Sequence, residues 1–312
     1  MRAVCRADDK LKLSPHARAV LQALLVTFLW STSWVLIKFG LQDIPALSFA
    51  GLRYSFAFLA LLPFVLRPNQ LAALRRLSLA GWARLAALGL VFYALTQGAQ
   101  FLSLVYLPAA TVSLLLSFTT ILVALLGIFM LGERPTTNQW LGCGLYLFGV
   151  VIYFYPADLP AGQLLGLGIA IAGLLANALG AILGRSVNRA ADLDPLLVTA
   201  VSMGIGASLL LFTGMTVQGL PRLSLLNWVV ILWLAVVNSA LAFTLWNRTL
   251  RTLTAMESSL LNNTMLIQIA ILAWIFLSER LSWQEIAGLV IAALGTLIVQ
   301  LNRRASRIPS PA

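Results

Sequence analysis

The sequence is poor in the residues that do chemistry. It has one histidine, two cysteines and ten acidic residues in 312 positions. Cys5 and Cys143 cannot build a disulfide framework and lack the spacing of a metal site. His16 belongs to no Cys/His/carboxylate cluster, so no catalytic residue, metal or cofactor is expected. There is no GxxxxGK[ST] phosphate loop, and the segments between apolar runs are too short for a nucleotide-binding domain, which excludes an ATP-driven machine. Charged residues make up only 10%, too few to cover a soluble domain of this length.

What is abundant is apolar. Sixty per cent of residues are hydrophobic, and the mean hydropathy is +0.93. A bilayer core about 30 Å thick is spanned by roughly 20 helical residues. Ten runs meet that length, at 19–40, 46–66, 85–105, 109–131, 139–155, 164–184, 195–217, 226–246, 255–277 and 284–301. They are too continuous for the alternation of a membrane barrel, so the fold class is all-α and integral to the membrane. A charged tail without a small-residue cleavage site precedes the first run, which reads as a retained helix rather than a signal peptide.

The net charge of +11 invites a nucleic-acid partner, but its distribution argues against one. With the N-terminus placed in the cytoplasm, seventeen Lys and Arg fall in inner segments or tails. Only Arg222 and Arg280 fall outside, and Lys38 and Arg53 lie within runs. That bias is the orientation signal of a membrane protein, so lipid is the expected partner and nucleic acid is not.

The chain also repeats itself. Leu-Gly-Glu-Arg at 131–134 returns as Leu-Ser-Glu-Arg at 277–280, and sliding 107–152 onto 253–298 matches 14 of 46 positions. Gly142/Gly288 and Gly149/Gly295 are among them, and a shift of 147 pairs Lys38 with Arg185. Runs one to five and six to ten are therefore two copies of one unit. A unit with an odd number of crossings must be inverted in its second copy, as in many secondary transporters. The expected layout is a cytoplasmic tail (1–18), a first repeat (19–156), a second repeat (157–301) and a cytoplasmic tail (302–312): ten transmembrane helices as two inverted five-helix repeats.

"LWSTSWVLIKFGL" in the first run, "FAGLRYSFAFLALLPF" in the second and Gly-Glu-Arg-Pro at 132–135 resemble the ten-helix EamA type of the drug/metabolite transporter superfamily. The resemblance spans roughly 18–301. It implies a bacterial inner-membrane protein that exports amino acids or other small metabolites without ATP. The fourth run departs from the family, reading "SFTTILVALLG" where a proline is common.

Polar residues inside the runs are the candidate site, because burying them in hydrocarbon is costly unless they face a cavity or a partner. Tyr93, Gln97 and Gln100 share one face of the third run, and the repeat matches them with Ser239, Phe243 and Trp246. They suit a central cavity for an amphipathic molecule; the alternative is that the glutamines bond neighbouring helices. Trp30 and Trp34 share a face and either line the cavity or pack in the core. The ninth run adds Asn262, Gln268 and Glu257. Glu257 is a candidate carrier of a coupling proton, or pairs with Arg248 or Arg251. Arg53 holds a substrate carboxylate, snorkels to the outer headgroups or pairs with Asp43; snorkelling is the expectation for Lys38. The Leu/Arg stretch 67–84 reads as an interfacial segment. Ala176, Gly180 and Gly184 form a small-residue row that packs within the monomer or between the subunits of a homodimer.

The function these features suggest is secondary transport of a small organic solute by alternating access. A membrane-embedded scaffold or receptor that binds a solute without moving it is the alternative.

Overall fold

The structure, a computed structural model, describes residues 14–107, 135–155, 164–190, 193–277 and 282–301, with nine positions between 112 and 126. The two Glu-Arg pairs, both tails beyond these bounds and most of the fourth run lie outside the described residues.

Every regular element among the described residues is helical. In chain order they are α1 (Pro15–Gly40), α2 (Ala46–Val65), the short α3 (Pro68–Arg75), α4 (Leu79–Tyr106), α5 (Thr137–Phe154), α6 (Leu164–Arg189), α7 (Pro195–Val217), α8 (Leu225–Thr249), α9 (Ala255–Leu277) and α10 (Trp283–Leu301). Seven of them, α1, α2, α4, α6, α7, α8 and α9, are long and apolar enough to cross a bilayer. The third run is longer than expected. Its helix starts at Leu79, so only Arg67 to Arg76 of the Leu/Arg stretch forms a separate piece, with no buried residue in α3.

Several starts are set by side-chain caps, though those of α2 and α3 are not. Ser14 accepts the Ala17 amide ahead of Pro15, and Asp194 accepts the Leu196 amide ahead of Pro195. Each satisfies an amide that the first turn leaves without a partner. Thr136 with Gln139 and Thr254 with Glu257 close reciprocal capping boxes at α5 and α9. In consequence His16 sits in the first turn of α1, not in a tail.

Outward faces are greasy. Leu21, Leu25 and Phe28 on α1, and Val229, Leu232, Trp233 and Val236 on α8, are exposed, as lipid-facing stripes at helical spacing should be. The interior is held by close backbone approach and by polar cross-links. A Cβ on Gly51 of α2 would lie 2.6 Å from the Leu211 Cα of α7, and one on Gly214 would lie 2.6 Å from the Ser48 nitrogen. These contacts make α2 and α7 antiparallel. In α5 and α10, a Cβ on Gly149 would meet the Gly288 carbonyl at 2.6 Å, and one on Gly295 would meet the Gly142 carbonyl at 2.6 Å. That pair is antiparallel too, with each glycine facing the repeat counterpart of the other. Gly180 packs on Phe92 of α4, so the small-residue row of α6 serves the monomer's own interior at that point.

By contrast α1 and α9 run parallel. The Ser31 hydroxyl donates to Gln268 Oε1 at 2.9 Å, and Gln268 Nε2 donates to Thr27 Oγ1 at 3.2 Å. The Trp30 indole donates to the Asn238 carbonyl at 3.0 Å, tying α1 to α8.

Two helices contain widened turns. Gly89–Leu95 in α4 and Val236–Leu241 in α8 are π-helical and lie at positions related by the 146-residue shift. Such bulges shift the side-chain register and concentrate at functional sites.

Candidate functional site

A cavity of about 120 Å³ lies among α1, α2, α4, α6, α8, α9 and the 112–126 segment. For scale, an engineered apolar cavity of about 150 Å³ holds benzene, so the space suits one ring-sized body.

The sequence-derived candidates divide into three groups. Trp30, Trp34, Gln97, Gln100, Phe243, Trp246 and Asn262 line the cavity. Tyr93 and Ser239 stand one layer behind. Tyr93 is 1% exposed and packs its ring 5.0 Å from that of Phe243, while Ser239 is fully buried. Gln268 bonds Ser31 and Thr27 of α1 and acts as the helix-to-helix link that was the alternative for the glutamines.

Glu257 is elsewhere. Its carboxylate accepts the Thr254 amide at 2.9 Å and the Thr254 hydroxyl at 3.1 Å, and His16 Nε2 lies 3.4 Å from its other oxygen. Neither expected arginine partner is used. Arg251 donates to the Leu193 carbonyl, and Arg248 is exposed. A carboxylate in the first turn of α9 also complements the helix dipole.

Arg53 departs from the snorkelling and Asp43 readings. It is 2% exposed and lines the cavity. Nε donates to Ser239 Oγ at 2.8 Å and Nη2 to the Asn238 carbonyl at 3.4 Å, with the guanidinium 5.1 Å from the Tyr54 ring centre. Asp43 lies by Asn227 instead, at 3.3 Å. Ser239 therefore positions the arginine and does not face the open space.

Several lining residues were not among the site candidates read from the sequence, Tyr54, Phe92, Asn177, Arg185, Ser258 and Asn263 among them. Arg185 counted only as a cytoplasmic charge, yet it is 4% exposed and donates from Nη1 to the Leu250 carbonyl. Its pairing with the intramembrane Lys38 under the 147-residue shift was the available clue.

The wall has two chemistries. Trp30 lies 4.8 Å from Phe243 and 5.2 Å from Trp246, giving an aromatic face. The rest of the lining includes amides and hydroxyls, with Gln97 Oε1 fixed by the Tyr54 hydroxyl at 2.7 Å and Asn177 Nδ2 donating to Thr119 Oγ1 at 3.2 Å. Two guanidiniums, Arg53 and Arg185, border the space, and among the described residues no Asp or Glu lines it.

Seven helices long and apolar enough to cross a bilayer, arranged around an amphipathic cavity, are those of a multi-pass membrane protein. The family model of EamA-like transporters matches residues 17–155 and again residues 164–301, and the chain belongs to the EamA-like transporter family. It is 27% identical to a probable amino-acid metabolite efflux pump of Escherichia coli (strain K12), over 88% of this chain and 92% of that protein. A probable amino-acid metabolite efflux pump of Salmonella typhimurium (strain LT2) is 25% identical, over 91% and 95%. A solved crystal structure superposes with a TM-score of 0.73 at 18% identity, covering 91% of this chain and 98% of that one. At that identity the likeness shows the fold alone.

Proposed function

We propose that the protein is a secondary carrier that moves a small amphipathic metabolite through this cavity by alternating access between two inverted five-helix halves. Export is favoured by the names of the efflux relatives. The observation that carries the reading is the chamber itself: a ring-sized space with an aromatic wall and an amide wall, to which both copies of the repeat contribute.

Inversion draws support from direction. Gly142 faces Gly295 and Gly149 faces Gly288, so repeat-equivalent helices touch while running oppositely, as a pseudo-twofold axis lying in the membrane plane requires. Parity supports a tenth crossing. With α5 and α6 both spanning, α2 runs against α7 only if the chain crosses once between α4 and α5, where the fourth apolar run lies. The parallel pairing of α1 with α9 supports the same crossing. Both termini then lie in the cytoplasm, as the positive-inside bias implies.

Flux into proteoliposomes tests the proposal. A radiolabelled aromatic or aliphatic metabolite from a broad panel should exchange across the vesicle wall at least tenfold faster than in protein-free vesicles. Saturable binding without flux, across the panel and with a gradient in either direction, would make the protein a receptor or scaffold instead.

A further inference from the structure

We propose that the ligand is an organic anion, a carboxylate or comparable acid on a planar apolar body, with its charge held by Arg53 and its passage flanked by Arg185 at one end and Lys38 at the other. The inference rests on the carrier reading for its direction of passage and on the cavity for its chemistry.

Arg53 is the anchor. Its Nε and Nη2 are held by Ser239 and the Asn238 carbonyl, both neutral, and no carboxylate among the described residues neutralises it. A guanidinium 98% buried, bordering an open space and left without a counter-ion, is set to receive one from a ligand, and its planar fork matches a carboxylate. Among the described residues nothing in the lining offers the reverse. Among them a free ammonium would meet the Arg53 guanidinium and no lining carboxylate, and Glu257 is bonded to its own helix cap and lies against His16. The body of the ligand has its place on the Trp30, Phe243 and Trp246 rings.

The repeat gives the route. Trp30, Trp34 and Lys38 are spaced four apart on one face of α1, and a shift of 147 turns them into Asn177, Ala181 and Arg185 on α6. The first two members of each triplet line the cavity. The third differs: Arg185 borders the space, whereas half-buried Lys38 does not. With inverted halves, the two cations sit at opposite ends of one path, and the cavity is extended toward Arg185. In the opposite state Lys38 takes the place that Arg185 holds here. A cation at each mouth and one at the centre is a track for a negative solute, since each lowers the cost of taking an anion out of water.

Three probes that share a phenyl ring test the charge requirement on the full-length protein in lipid nanodiscs: 3-phenylpropionate, L-phenylalanine and phenethylamine. Tryptophan fluorescence should report 3-phenylpropionate binding at least tenfold tighter than L-phenylalanine, with phenethylamine weaker still. Arg53→Gln should lower 3-phenylpropionate affinity at least tenfold and Arg53→Lys less. The wild-type ranking stands even if a variant fails to fold. Equal or tighter binding of the zwitterion or the amine overturns the proposal, and so does absence of binding by all three at millimolar concentration.

Flux separates this inference from the carrier reading. Binding in the expected order with no flux upholds the anion site and removes the carrier. Flux of L-phenylalanine with 3-phenylpropionate rejected upholds the carrier and removes the anion requirement. In oriented vesicles, Arg185→Gln should raise the KM for 3-phenylpropionate at least threefold from the cytoplasmic side, and Lys38→Gln from the other. Equal effects from both sides would overturn the assignment of the two ends.

Discussion

A tyrosine hydroxyl bonded to a glutamine carbonyl inside an apolar bundle has no water to replace its partner. Tyr54→Phe leaves Gln97 Oε1 without its 2.7 Å donor. It should cost about 1–2 kcal/mol of stability, read as a lowered apparent Tm in detergent. Trp246 forms wall rather than bond, so Trp246→Ala should leave the fold in place and weaken any bound probe about tenfold, measured by fluorescence titration. Glu257 behaves as a helix cap. Glu257→Gln keeps an oxygen for the Thr254 amide, and the pH dependence of flux should be unchanged; a flattened pH profile would return the residue to proton coupling. Candidates such as Gln97, Gln100 and Trp30 were legible because polar or bulky interfacial residues stand out within apolar runs. Tyr93 and Ser239 misled for a definite reason. Both lie in π-helical turns, and a spacing rule of 100° per residue fails across a turn that holds an additional residue.

Helices of this protein carry their instructions unevenly. Caps at Ser14, Asp194 and Thr136 precede apolar runs, and the starts of α1, α7 and α5 follow from them. The start of α4 follows from its cap as well, since Ser78 accepts the Gly81 amide, but Arg84 and Trp82 inside a Leu-rich stretch read as interface and hid it. Glycine spacing gave the repeat but not the partner: Gly142 and Gly149 match Gly288 and Gly295 by shift, and only the fold brings the two pairs together. Side chains have no room in that contact. Gly149→Val, whose Cβ would lie 2.5 Å from the Ala292 nitrogen, forces α5 and α10 apart. About 1–3 kcal/mol or more should be lost, visible as reduced folded yield and a lower Tm. Gly144, with open space around its Cβ position, should accept Ala with no loss.

For the molecule as a whole, composition and charge bias disclosed a membrane protein, and self-similarity disclosed a repeat over the two stretches that the family model matches. Neither disclosed that, among the described residues, none of α5 or α10 lines the cavity, while all seven membrane-length helices except α7 supply it. Sidedness is open to direct measurement. Cys143 is buried, so native Cys5 reports the N-terminus and a cysteine replacing Ala312 reports the C-terminus. An impermeant maleimide should label both from the cytoplasmic face only, and labelling from opposite faces would break the ten-crossing layout. The glycine contact between α5 and α10 carries a mechanical consequence. Backbones meshed that closely cannot slide along each other without collision, so under the proposed alternating access this seam would be the stationary bearing between the moving parts. A covalent staple across it should leave turnover intact, whereas the same staple across the mouth beside Arg185 should stop it.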